Sequence, residues 1–225
     1  MLSAILFDLD GTLVNTEPLH YKAWHETLIS YGLEIDEEFY KTRMNGGLNS
    51  QVIASILPSL SSKEGQKLAE KKETRFHEFA LELKPLDGLA KILRWSQKCG
   101  LKRAVVTNAP RQNAILTLKV LGLTNAFDTV ILAEEAVAGK PDPAPYRLAL
   151  HRLNISPESA IAFEDSPTGI CSSVGAGIYT IGIASSQNPD CLCKAGAKIA
   201  IPDFNAEPLW ELLNSSSRVT SDIWI

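Results

Sequence analysis

Ile5-Leu6-Phe7-Asp8-Leu9-Asp10-Gly11-Thr12-Leu13 ends an apolar run in two aspartates spaced i, i+2, followed at once by Gly-Thr. The apolar character of residues 3–8 predicts a short buried strand. Residues i and i+2 of a strand share a face, so both carboxylates are expected to aim at one point. Carboxylates crowded in this way resist ionisation together unless a cation or a reaction uses them. A nucleophile and an acid/base partner held beside a metal would use both.

Working outward, the chain changes character twice. From Pro18 to about Leu83 the signals are helical. Leu19, Trp24, Leu28 and Ile29 fall near one face of a helix ending at Gly32, and Asp36 reads as the cap of the next. Val52, Ile53, Ile56 and Leu57 mark a third helix, stopped by Pro58, and Ser61 or Ser62 starts a fourth. From Pro85 onward strands and helices alternate. Strands are predicted at 103–107, 129–132, 160–163, 178–183 and 198–201, with helices at 89–98, from Pro110 to Leu121-Gly122, at 145–153, and after Ser166-Pro167. Ser215–Ser217 and the last few residues read as a loose tail.

Strand–helix alternation implies an α/β fold, a doubly wound parallel sheet with helices on both faces. The core is expected to comprise residues 1–15 and 84–225, with 16–83 inserted as a helical cap. Ligands of such sheets bind beyond the C-terminal strand ends. The first strand brings Asp8 and Asp10 there, the second Thr107-Asn108, and the fourth Glu164-Asp165-Ser166. The loop after the third carries Gly139-Lys140-Pro141-Asp142. Four carboxylates and one lysine leave that rim too anionic for a phosphate dianion without a cation, and oxygen-only ligands suit Mg²⁺.

These clusters, in this order, resemble the four motifs of the haloacid dehalogenase-like superfamily, mostly phosphatases. Asp-x-Asp-Gly-Thr-Leu is similar to the first, Thr107 to the second, Lys140 to the third and Glu164-Asp165 to the fourth. The resemblance implies that Asp8 attacks phosphorus and that Asp10 serves as acid and then base. It implies that Thr107 and the Asn108 N–H hold phosphate oxygens and that Lys140 offsets charge. Asp8, Asp10 (through its backbone carbonyl), Glu164 and Asp165 would hold Mg²⁺.

The insert's position after the first motif resembles the helical-cap branch that includes β-phosphoglucomutase and phosphoglycolate phosphatase. His20 matches a cap histidine of the mutases. Met44-Asn45-Gly46-Gly47-Leu48-Asn49 resembles a substrate-specificity loop, which makes Gly46 and Asn49 candidate substrate ligands, with Lys71 or Lys72 from the last cap helix. The mutase pattern carries an arginine where this chain has Asn49, and an amide replaces a bidentate guanidinium poorly. Asn45–Ser50, Leu83–Leu89 and Leu101–Arg111 resemble broad-range sugar-phosphate phosphatases. The expected activity is therefore hydrolysis of small phosphorylated metabolites. A phosphosugar mutase is the alternative, and a non-enzymatic binding protein is disfavoured because Asp8, Asp10, Lys140 and Asp165 are all present. Dehalogenation needs neither a second aspartate nor Mg²⁺.

Composition agrees with this class. The 225 residues are 45% hydrophobic and 21% charged, with a net charge of −4. That suits one globular domain or a domain with a large insertion. No long basic cluster predicts a nucleic-acid surface. No stretch reaches the roughly 20 apolar residues that span a bilayer. The first apolar run lacks the basic flank of a signal peptide. Cys99, Cys171, Cys191 and Cys193 read as reduced thiols rather than a zinc site. The expectation is a cytoplasmic monomer without membrane or nucleic-acid partners. Asn113, one turn past Pro110, is expected to be a solvated helix residue.

Overall fold

The computed structural model describes residues 1–44 and 49–216. In chain order it begins with β1 (Ala4–Phe7), followed by α1 (Glu17–Ile29), α2 (Glu37–Arg43), α3 (Asn49–Ile56) and α4 (Ser62–Phe79). Next come α5 (Leu89–Lys98), β2 (Lys102–Thr107), α6 (Arg111–Val120), β3 (Thr129–Leu132), α7 (Ala144–Leu153) and β4 (Ala160–Glu164). The chain closes with α8 (Pro167–Gly175), β5 (Tyr179–Ile183), α9 (Pro189–Lys194), β6 (Ile199–Ile201) and α10 (Glu207–Ser216). It divides into two compact units, Met1–Asn15 with Lys84–Ile225, and Thr16–Leu83.

In the first unit the strands form one parallel sheet in the order β3-β2-β1-β4-β5-β6. β1 and β4 are adjacent, and the chain winds outward from them in opposite directions. This is the switch point where a doubly wound sheet opens a crevice. Both strands are buried along their whole length, as central parallel strands covered on two faces must be.

Alternation along the strands sorts side chains by size. Ile5, Phe7, Val105, Ile161 and Phe163 face one layer, where Phe7 stacks on Phe163 with centroids 5.4 Å apart and Phe204 meets both edge-on. Ala4, Ala104, Ala160 and Ala162 face the other. Small residues there leave room for α7, which buries Tyr146, Ala149, Leu150 and Leu153.

The second unit has its own core of Trp24, Leu28, Ile35, Tyr40, Met44, Val52, Ile53 and Leu68. Its helix starts are chemically marked. The Asp36 carboxylate accepts the Phe39 N–H at 2.7 Å, and Ser61 with Glu64 forms a reciprocal capping box on α4.

Three expectations change. Asn113 is buried rather than solvated, because α6 turns Asn113, Ala114, Thr117 and Leu118 inward together. α9 was not anticipated. Asn188 caps it, Pro189 starts it and Leu192 is fully buried. Ser215 and Ser216 belong to α10, held by burial of Leu209 and Leu213 one turn apart, whereas Ser217 and the residues after it lie outside the described ones.

Gly88 ties α5 to the end of the chain. Its φ is +77°, and a Cβ there would lie 2.6 Å from the backbone carbon of Phe204. Phe204 N–H donates to Asp87 O at 3.0 Å. Gly88→Ala is expected to destabilise the fold by more than about 1 kcal/mol, read as a lower urea midpoint. An unchanged midpoint would show that the Phe204 backbone yields freely.

Candidate active site

Asp8 and Asp10 sit beyond β1, not on a shared strand face. The strand ends at Phe7. Asp8 N–H still donates to Phe163 O at 2.9 Å, but Leu9 O then accepts the Leu13 N–H at 2.9 Å and the chain turns. Gly11 makes the turn at φ +83°, and a Cβ on it would lie 1.9 Å from Asp165 Oδ2. Only a glycine lets the turn approach that carboxylate. Ser185 Oγ, just past β5, donates to Gly11 O at 2.6 Å and holds the turn from the other side.

Lys140 is the hub of the site. Its ammonium lies 2.6 Å from Asp8 Oδ1 and 2.6 Å from Glu164 Oε1. Burial alone would lower the Lys140 pKa, but attraction to Asp8 and Glu164 and hydrogen bonds to both raise it, so it stays protonated. Its backbone is clamped by one side chain. Asn108 Nδ2 donates to Lys140 O at 3.1 Å, and Lys140 N–H donates to Asn108 Oδ1 at 3.0 Å. Thr107 is buried at the end of β2, its Oγ1 accepting the Ala109 N–H at 2.9 Å.

Glu164, the last residue of β4, is completely buried. Tyr146 Oη donates to its Oε1, the same atom that faces Lys140. A Cβ on Gly169 would lie 1.7 Å from its Oε2. Burial, with repulsion from Asp8, raises the Glu164 pKa despite Lys140. Asp165 is also pushed well above the usual carboxylate range, first by burial and then by Asp8 and Glu164.

Asp8, Glu164 and Asp165 each offer an oxygen within 4.8 Å of the others. Asp8 Oδ2 is buried and has no hydrogen-bond partner among the described residues. A crowded, oxygen-only set whose charge one lysine does not balance fits a hard divalent cation such as Mg²⁺. Among the described residues this is the one such group of His, Cys, Asp or Glu side chains. The four cysteines are exposed free thiols.

The remaining candidates belong to the helical unit. Lys72 is buried, with Nζ 3.0 Å from His20 Nδ1 and 2.8 Å from Glu73 Oε1. Asn49 Nδ2 donates to the same Glu73 Oε1 at 2.7 Å. The His20 ring stacks on Phe76 with centroids 4.1 Å apart. Burial, then the Lys72 charge, lowers the His20 pKa to about 3. Gly46 lies outside the described residues. Lys71 is exposed and donates to Ser30 Oγ. Two residues of these networks carried no readable signal. Tyr146 has the pattern of a core aromatic, and Glu73 that of one charge among many on α4.

A sequence model of the haloacid dehalogenase-like hydrolases matches residues 5–183. A phosphorylated carbohydrates phosphatase of Thermotoga maritima is 32% identical over 200 residues, 87% of this chain and 92% of that one. The structure of CbbY from Rhodobacter sphaeroides in complex with phosphate matches with a TM-score of 0.77 and 28% identity, over 91% of this chain and 95% of that one. A β-phosphoglucomutase structure from Clostridium difficile matches with a TM-score of 0.79 and 26% identity, over 97% and 100%.

His20 gives the site's clearest pH signature. Its folded pKa of about 3 lies below its ordinary value of 6.5, so the unfolded chain binds the extra proton between them. The stability that neutral His20 contributes is therefore complete above pH 6.5 and lost as pH falls toward 3. Its ring resonances should not titrate between pH 8 and about 5 by NMR. A midpoint near the ordinary value would refute a neutral, buried His20.

Proposed function

The chain belongs to the haloacid dehalogenase-like hydrolases, and from that membership we propose that it is a Mg²⁺-dependent phosphatase of small sugar phosphates acting through an aspartyl-phosphate on Asp8. The observation that carries this reading is the state of Asp8. One oxygen is held by a protonated Lys140, and the other is buried and unpartnered among the described residues beside Asp165. Relatives whose names specify phosphorylated carbohydrates and fructose 1-phosphate support the substrate class.

Phosphoryl transfer depends on positioning and charge neutralisation more than on covalent ingenuity. A carboxylate oxygen of Asp8 attacks phosphorus and the bond to the sugar oxygen breaks. Asp10 gives that oxygen its proton, leaving an alcohol and an aspartyl-phosphate. Asp10 then takes a proton from water, which attacks phosphorus and releases phosphate with Asp8 restored. Thr107 Oγ1 accepts a backbone N–H, so its O–H can donate to a phosphoryl oxygen, as can the Asn108 N–H. Lys140 orients Asp8 and offsets charge. Asp8, Asp165 and the Asp10 carbonyl would hold Mg²⁺, with Glu164 beside them. When bound, the ion neutralises the carboxylates and polarises phosphoryl oxygens.

The helical unit is read as a cap that selects the leaving group through His20, Gly46, Asn49 and Lys72. The similarity to a β-phosphoglucomutase structure, together with His20, favours a mutase as the second reading. Against it, Asn49 gives its amide to Glu73, so that position offers no cation for a second phosphate. The same proposal places the protein in the cytoplasm as a monomer, and four exposed free thiols are in keeping with a reducing compartment.

Asp8→Asn is expected to lower turnover by at least about a thousandfold, the scale of losing an essential nucleophile. Chelation should abolish activity and Mg²⁺ restore it. Turnover that survives either treatment would sink the mechanism. With glucose 1-phosphate and a bisphosphate primer, ³¹P NMR should show free phosphate. Glucose 6-phosphate without free phosphate would establish the mutase instead.

A further inference from the structure

Tyr146 carries a buried hydroxyl that phosphoryl transfer itself does not use. It stands in the first turn of α7 and is wholly buried, and a buried phenol needs a hydrogen-bond partner. That partner is Glu164 Oε1, to which Tyr146 Oη donates. The Lys140 ammonium sits over the same ring, Nζ 5.4 Å from its centroid. Asp8, Lys140, Tyr146, Glu164 and Gly169 all belong to the unit that carries the sheet.

Two donors therefore converge on one oxygen of Glu164. Lys140 Nζ lies 2.6 Å from Oε1, and the Tyr146 hydroxyl reaches the same atom. A carboxylate oxygen has two lone-pair positions, so Oε1 is filled. Oε2 is buried and has no partner among the described residues. It occupies the room left by the missing side chain of Gly169, where a Cβ would stand 1.7 Å away. Glu164 thus presents one oxygen to the cluster it forms with Asp8 and Asp165. The number of oxygens a carboxylate offers bears on which cation it suits. Ca²⁺ takes about 6–8 oxygens and accepts both from one carboxylate, whereas Mg²⁺ is smaller and demands near-octahedral geometry.

We infer that Tyr146 is a positioning residue that biases the cation site toward Mg²⁺ and against Ca²⁺. Its hydroxyl fills the second lone pair of Oε1 and confines Glu164 to coordination through Oε2 alone. Without the hydroxyl, Lys140 still holds Oε1 by one lone pair, and the other is open to a cation that can take both oxygens. The net charge of the cluster is the same in either case, so the effect falls on selectivity rather than on attraction for cations in general. The inference rests on the Mg²⁺ reading above and adds to it the group that disfavours the larger ion.

Calorimetry with Mg²⁺ and with Ca²⁺ on the metal-free full chain gives the Ca²⁺-to-Mg²⁺ affinity ratio. Tyr146→Phe keeps the ring beneath Lys140 and removes only the hydroxyl. It should raise that ratio at least about tenfold, the scale on which partners of metal ligands act, chiefly through tighter Ca²⁺ binding. In a Glu164→Gln background the same substitution should leave the ratio unchanged, because an amide offers a single oxygen. Infrared difference spectra between Ca²⁺-loaded wild type and Ca²⁺-loaded Glu164→Gln need no Tyr146 variant, and should show Glu164 coordinating through one oxygen. The inference is overturned by a ratio that Tyr146→Phe does not move, by weaker binding of both cations alike, by a shift that persists in the Glu164→Gln background, or by two-oxygen coordination in the wild type. A wild-type chain that binds neither cation overturns the Mg²⁺ reading and the inference with it. One that binds Mg²⁺ but releases no phosphate from any sugar monophosphate overturns the phosphatase reading, and the affinity ratio still judges Tyr146.

Discussion

One ammonium shared by two carboxylates in the interior organises the core unit. Lys140 sits 2.6 Å from both Asp8 and Glu164, and all three are buried. Losing one partner of a buried ion pair typically costs about 3–5 kcal/mol, because the charge left behind has no water to turn to. The surroundings follow from that constraint. Asn108 fixes the lysine backbone on both sides. Tyr146 supplies a donor to Glu164. Gly169 has no Cβ where the Glu164 carboxylate must lie. The alanines of β1, β2 and β4 make the sheet thin enough on that side for Tyr146 to be buried beneath the site.

The same constraint divides labour among acidic groups of one chemical type. Glu164 gives Oε1 to Lys140 and Tyr146 and keeps Oε2 without a partner among the described residues. Asp8 gives one oxygen to Lys140 and keeps the other without a partner among the described residues. Asp165 is pressed against the turn at Gly11, and burial and repulsion drive its pKa upward. The environment, rather than residue type, sets these three carboxylates apart.

The helical unit solves a related problem differently. It also buries a lysine, but sets its ammonium against an adjacent glutamate while His20 Nδ1 accepts its hydrogen bond. The core unit is left with surplus negative charge suited to a cation and a phosphoryl group.

Much of this was legible from sequence because it depends on local periodicity. Apolar runs marked the strands, Asp36, Ser61 and Ser166 marked helix starts, and polar residues following each run marked the rim. The spacing of Asp8 and Asp10 pointed to a joint chemical role, although both residues lie beyond the end of β1 and not on a common strand face. Asn113 was misjudged because an amide in a helix carries no sign of which way it faces. Tyr146, the Asn108 clamp and Glu73 could not be read at all. Each meets a partner distant in sequence: Glu164, Lys140 and Asn49. The linear chain determined which elements form and which chemical groups stand at their ends. Only tertiary structure decided which charges meet, because pairing in a low-dielectric interior is a matter of ångströms between groups tens of residues apart.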